Sequence, residues 1–480
     1  MFKIRRSRVN YCWLDFESSD SRVVWGQLLQ SGIVLTDDKF KILEKVDIRC
    51  RLKPNIVPSI GALLTNSISV NQLQNEKFSH YELILQNYKW FKKFSPSYMT
   101  GFNSLSFDIE FWRRCLFKYL ISDVYQTNTN GNKMLDILPI IRTAKTINRN
   151  VIATEINEKG NDTFRLESLS RINNFNNGKS HEAVTDCLNT ISVALAVKKN
   201  CPDIWEASLK TASKLDAEKF ININKVFSST EYFYSKTRIF LIKHLFYHPI
   251  YKWSIGWDLK HNPKDFFDLD INSLNKKINS APRPCRTVRH NKSPLLFDKN
   301  FGIKFEPYEK IGMKDIMDRV KMIDENPNFV MKIKSIMQSI AEEKQEMNQV
   351  ELLPEETIYQ GGFVRDKDKV VMKNFHETDL KGKLQLIDKF TDTRYNYFAK
   401  CLLYEEVPKK DLPDSIYNEM HRHFAQRLTS TNKEKWETFA SFFKECDDYR
   451  EKYKKHEDKL KILEGYNNYV EKMQKNFENA

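Results

Sequence analysis

The run YCWLDFESS (11–19) places two carboxylates, Asp15 and Glu17, two positions apart inside an otherwise apolar stretch. No other feature limits the fold as much. The segment CWLDFES reads as a strand, and on a strand residues i and i+2 point to one face. Both acids then share one small volume. Like charges that lose water together repel, so either one becomes protonated or a cation binds between them. Hard oxygen ligands of this kind favour magnesium or manganese. A strand end with two solvated acids has the same local sequence, so the pair needs support from elsewhere in the chain.

At 480 residues the chain exceeds one simple core and calls for two to three domains. VVWGQLLQSGIVL (23–35) reads as strand, turn, strand. HYELILQNYKWFKKF (80–94), FDIEFWRRCLFKYLI (107–121) and HEAVTDCLNTISVALAVKKN (181–200) show helical spacing, the last with Ile191, Ala194, Leu195 and Val197 as its apolar stripe. Strands alternating with helices predict an α/β domain over 1–202. The texture changes after Pro202. Short alternating runs such as TRIFLIKHLFY and FFDLDI, broken at HPIYKW and SAPRPCR, predict a small β-rich module with a helical tail over 203–350. From 311 the pattern is charged and helical, in KDIMDRVKMIDENPNFVMKIKSIMQSIAEEKQEM and again in DDYREKYKKHEDKLKILEGYNNYVEKMQKNF. ELLPEETIYQGGF (351–363) reads as the joint before a C-terminal helical domain, 351–480.

The net charge of +14 is unevenly spread. Residues 1–200 hold 28 basic and 19 acidic side chains, residues 201–310 hold 19 and 12, and the remainder 30 and 32. A polyanion such as nucleic acid suits the first two thirds; a generally basic protein from a Lys- and Asn-rich proteome is the plainer alternative. Eight cysteines lie scattered without a CxxC pair. This fits a reduced cytoplasmic interior with neither disulfides nor a zinc site. There is no run of eighteen apolar residues, and MFKIRRSRVN is not followed by an apolar core of the signal-peptide type, so neither membrane span nor export is expected.

Two more acids lie at predicted helix starts: Asp108 in GFNSLSFDIEFW and Asp186 in SHEAVTDCL. Either alone is an ordinary acid at a helix N-terminus. Together with Asp15-Phe16-Glu17, and with His181 five residues before Asp186, they form a much rarer pattern. The three segments resemble the Exo I, II and III motifs of the DEDDh 3′→5′ exonucleases. FRLESLSRIN, VRHNKSPLLF (288–297), IGMKDIMDRVKMIDENP (311–327) and IYQGGFVRDKDKVVMKNF (358–375) extend the resemblance, over nearly the whole chain, to the exodeoxyribonuclease I family. Many family members have Thr after the first Glu; Ser18-Ser19 stand here, keeping the hydroxyl.

The resemblance implies a ribonuclease H-like α/β exonuclease domain, a small SH3-like β-rich module and a C-terminal α-helical domain. It implies processive 3′→5′ degradation of single-stranded DNA to 5′-mononucleotides, in repair and recombination. In the family the domains form a C-shaped channel that excludes duplex. Two Mg²⁺ ions, with Mn²⁺ able to substitute, would lie among Asp15, Glu17, Asp108 and Asp186. Such ions offset the charge of the carboxylate nest towards an anionic phosphodiester. His181 would be the general base, an imidazole suiting proton transfer near neutral pH. Glu17 and Arg165 would bind substrate, Arg165 as a planar partner for a phosphate. Arg113, Arg142 and Lys214 align with DNA-contacting positions, whereas Phe16 points to the other strand face and belongs to the core. Implied partners are single-stranded DNA and the single-stranded DNA-binding protein, through its acidic C-terminal tail, with the enzyme itself a monomer. Arg283, Arg286, Arg289 and Lys292 in RPCRTVRHNK either track a phosphate backbone or form a solvated charged run. NNFNNGKS (173–180) fails as a phosphate-binding loop, since Asn173 stands where the first glycine belongs. A 3′→5′ RNA exonuclease and a non-catalytic single-strand-binding scaffold are the alternatives.

Overall fold

In the computed structural model, which describes residues 10–175, 177–178, 181–347 and 351–478, the acid-bearing run forms strand β1 (Asn10–Ser18). Both of its faces are buried. Tyr11 and Trp13 join Phe40 and Tyr98 in an aromatic cluster with ring centroids 5.0 to 5.8 Å apart. Cys12, Leu14 and Phe16 alternate with them and are also buried. Most of the MFKIRRSRVN segment, and part of NNFNNGKS, lie outside the described residues.

The described residues fall into two compact units. One comprises the chain up to Asn132, Asn177–Asn189 and the chain from Leu352; the other comprises Lys133–Asn176 and Thr190–Glu351. In the first, β1 pairs antiparallel with β2 (Leu28–Thr36), which pairs antiparallel with β3 (Ile42–Arg49); on its other side β1 runs parallel to β4 (Ser97–Gly101). The order is therefore β3-β2-β1-β4. The expected strand-turn-strand over 23–35 is instead a turn followed by one strand. Trp25 and Gly26 donate backbone bonds to the Arg22 carbonyl, and all nine residues of β2 are buried. A strand covered on both faces loses the alternation that marks a half-exposed one.

Helices His80–Phe94 and Asp108–Lys118 follow the predicted periodicity. So does Ala183–Asn200, except that Leu195 is 44% exposed and Val193 is buried in its stead. The C-terminal helices Thr393–Glu406, Asp414–Leu428, Phe439–Lys452 and Glu457–Phe477 share one core with the early helices Ile60–Asn66 and Val70–Gln74. Leu63, Leu64 and Leu73 pack there with Phe424, Phe442, Leu463 and Val470. The last predicted helical stretch breaks between Lys452 and Glu457.

The second unit begins with β5 (Lys133–Asp136) and helix Ile137–Ile147. Its antiparallel sheet is built from β6 (Val226–Phe233), β7 (Lys236–Tyr247), β8 (Ser254–Asp258), β9 (Cys285–Val288) and β10 (Leu296–Asp298), in the order β10-β6-β7-β8-β9. FFDLDI, expected as a β run, does not join it. Its first two residues end the helix Lys264–Phe267 and its last starts Ile271–Asn279, which Asp270 caps by accepting from the Asn272 and Ser273 amides at 2.9 and 3.1 Å. Leu274 and Ile278, four residues apart, carry that helix into a core with Trp257, Phe329 and Ile333. The next stretch is two helices, Met313–Asp324 and Pro327–Met347, separated where Pro327 takes the first helical position.

Candidate active site

Each candidate acid arrives on a different element, save the first two. Asp15 and Glu17 leave the same face of β1, at its C-terminal end. In register, Asp15 lies opposite Gly32 and Glu17 opposite Gln30; the next strand continues these rows with Asp47 and Arg49. Gly32 is the opening through which a third element approaches. A Cβ there would lie 2.4 Å from the Ala183 carbonyl carbon and 2.5 Å from the Val184 nitrogen. The first turn of helix Ala183–Asn200 therefore rests directly on β2, and that turn carries Asp186. Asp186 accepts from the His181 amide at 3.2 Å and from Asn189 Nδ2 at 3.3 Å. His181 has φ of 62°, a left-handed kink where the chain turns into the helix. Asp108 opens the helix Asp108–Lys118, and its Oδ1 accepts the Phe16 amide at 2.9 Å. The backbone between Asp15 and Glu17 is thus the donor that holds Asp108 against them.

Glu17, His181 and Asp186 each offer a ligand atom, and these atoms lie within 4.8 Å of one another. Asp15 joins the same electrostatic cluster. Burial, then the charges of Asp108, Glu17 and Asp186, hold its carboxyl well above the usual range. Burial and Asp186 push Glu17 up to about 7, opposed by the Arg49 guanidinium. Acids crowded this closely and poorly hydrated fit hard divalent cations, which would offset the repulsion that raises Asp15 and Glu17.

Beside Glu17 and His181 opens a cleft of about 520 Å³, walled by Phe16, Ser18, Ser59, Gly61, Asn66, Phe107, Glu445 and Tyr449. Ser18 and Ser19 are engaged locally: Ser18 Oγ donates to the Asp20 carbonyl at 2.8 Å, and Ser19 Oγ accepts the Gln27 amide at 3.0 Å.

The basic candidates are placed as follows. Arg113 is buried, 3.5 Å from Glu110 Oε1 and 5.3 Å from the Tyr125 ring centre, and donates to Asn128 Oδ1 at 3.2 Å. The other three belong to the second unit. Arg142 lies 3.7 Å from the centre of the Tyr232 ring. Arg165 immediately precedes helix Leu166–Ile172, and Lys214 opens helix Lys214–Ile223, 3.7 Å from Glu218. In that unit Arg283, Arg286, Arg289 and Lys292 line one groove of about 490 Å³. There Arg286 lies 3.8 Å from the Phe240 ring centre and Arg289 lies 4.6 Å from that of Trp253.

Sequence reasoning overlooked Arg49, Glu445 and Tyr449. Arg49 could be found by aligning the three strands in register. Glu445 and Tyr449 carry no local signal, because they come from a helix near the opposite end of the chain from β1.

A family model described as the Exonuclease I C-terminal domain matches residues 352–473. Exodeoxyribonuclease I of Buchnera aphidicola subsp. Schizaphis graminum is 22% identical over 469 residues, covering 92% of this chain and 89% of that protein. The solved structure of Escherichia coli Exonuclease I in complex with a dA16 oligonucleotide superposes with a TM-score of 0.81 at 20% identity, covering 97% of this chain and 100% of that one. A structure of SSB/Exonuclease I in complex with an inhibitor gives a TM-score of 0.80 at 20% identity, with the same coverage. The fold is the one these structures share: a mixed α/β exonuclease sheet, an antiparallel β module and a helical C-terminal domain.

Proposed function

We propose that this chain, similar along nearly its whole length to exodeoxyribonuclease I proteins, is itself a processive 3′→5′ exonuclease on single-stranded DNA that releases 5′-mononucleotides during repair and recombination. What supports this reading is that Glu17, Asp186 and His181 bring ligand atoms within 4.8 Å of one another, that Asp108 is held to the Phe16 amide between Asp15 and Glu17, and that burial and neighbouring acids raise both Asp15 and Glu17. Asp15, Glu17, Asp108 and Asp186 would hold two Mg²⁺ ions, or Mn²⁺ in their stead. Bound there, such ions supply the positive charge that steadies the entering and leaving oxygens of a phosphodiester.

The chain's own residues do the rest. His181 takes the proton from the attacking water at a ring nitrogen, and the kink that begins at its own φ brings it beside Glu17 and Asp186. Glu17 also faces the cleft that receives the terminal nucleotide. Arg165 pairs with a substrate phosphate, and Arg113, Arg142 and Lys214 contact the strand upstream. The functional division we assign is 1–202 for the nuclease, 203–350 for the SH3-like clamp and 351–480 for the helical domain.

The enzyme works as a monomer in the reducing cytoplasm, a setting that suits its eight free cysteines. No helix among the described residues is long and apolar enough to cross a membrane. The single-stranded DNA-binding protein is the protein partner, docking its acidic C-terminal tail by contacts that weaken with salt.

Digestion of matched single strands and duplexes of DNA and RNA, labelled at the 5′ end, tests the activity. The expected result is stepwise shortening of single-stranded DNA from its 3′ end, with magnesium required. Preference for RNA would replace the substrate, and tight binding without cleavage would make the protein a scaffold.

A further inference from the structure

Part of the wall of the cleft that Glu17 lines is built by a helix from the far end of the chain. Helix Phe439–Lys452 presents Glu445 and Tyr449 to the cleft, one turn apart. Glu445 is bonded to the start of the short helix Ile60–Asn66, which forms the adjoining wall. Its carboxylate accepts the Ile60 amide at 3.0 Å and faces Ser59 Oγ at 3.3 and 3.4 Å. The Ser59 side chain does not cap that helix, so Glu445 does. At its other end the same helix reaches back to β1. Asn66, its last residue, donates through Nδ2 to the Ser18 carbonyl at 3.1 Å, one residue beyond Glu17.

Gly61 marks how tight this junction is. A Cβ there would lie 2.6 Å from the Tyr449 hydroxyl and 3.0 Å from Glu445 Oε1. We infer that Glu445 and Tyr449 are positioning residues for the terminal nucleotide: through them the C-terminal helical domain fixes the Ile60–Asn66 wall of the cleft and sets the affinity for the nucleotide to be removed. This inference rests on the exonuclease reading. It gives the helical domain a part in the reaction site itself, beyond any grip on the strand.

The test uses the full chain with Mn²⁺ and the p-nitrophenyl ester of thymidine 5′-monophosphate, a diester whose only nucleotide is the one to be released and whose leaving group, p-nitrophenol, is read by its colour. In Gly61→Ala the easiest accommodation is withdrawal of Tyr449 and Glu445, since alanine itself favours the helix. KM should rise about tenfold with kcat changed less than about twofold. Adding Tyr449→Phe removes the clashing hydroxyl and should return KM to within about threefold of wild type. Glu445→Gln keeps the shape but not the charge and should raise KM about fivefold; it decides the matter if Gly61→Ala does not fold. Unchanged KM in Gly61→Ala and Glu445→Gln, or no rescue by Tyr449→Phe, overturns the inference while leaving an active wild type. A wild type inactive on both the ester and single-stranded DNA overturns the exonuclease reading, and the inference with it.

Discussion

Glu17 shows how one residue carries the tension of the site. A glutamate that titrates near 4.5 in water is pushed up to about 7 by burial and Asp186, against the pull of Arg49. A carboxyl raised in this way stabilises the fold when protonated. Its contribution is whole below pH 4.5 and is lost as pH climbs through 7. In EDTA, Glu17→Gln should therefore be more stable than wild type at pH 8, by about 3 kcal/mol, with the gap closing towards acid pH. Urea unfolding at several pH values measures it. Saturating Mg²⁺ should narrow the gap at pH 8 by stabilising the wild type. A gap independent of pH would remove Glu17 from the cluster of acids.

At the scale of elements, the site depends on how closely helix Ala183–Asn200 lies on β2. Gly32→Ala drives a methyl group into the Ala183 backbone, which has no side chain to swing aside. The helix must shift, taking Asp186 and His181 with it. Turnover should fall about 100-fold with single-stranded DNA as substrate; a wild-type rate would show that the approach is not critical. The same elements explain what the sequence discloses. Helix His80–Phe94 follows a plain periodicity, β1 is marked despite its two buried faces by Asp15 and Glu17 alternating with Leu14 and Phe16, and the candidate acids fall at a strand end or a helix start, where spacing is readable. β2 hides its boundaries because both faces are buried, and FFDLDI misleads because Asp270 is a helix cap. Arg49, Glu445 and Tyr449 reach the site only through strand register and long-range packing, which no local window contains.

At the scale of the whole molecule, the excess positive charge lies before residue 311, whereas the helical remainder is slightly acidic. Oligonucleotide affinity in EDTA should fall about 100-fold between about 50 and 200 mM salt if several phosphates are neutralised. Fluorescence anisotropy measures this, and a flat response would argue against a backbone-tracking surface. The most direct test of the central claim is digestion of a 5′-labelled DNA single strand by Asp186→Ala with Mg²⁺. The account predicts no shortening, alongside an affinity in EDTA within about threefold of wild type, because Asp186 serves the reaction and not the grip on the strand. Digestion at the wild-type rate would contradict it.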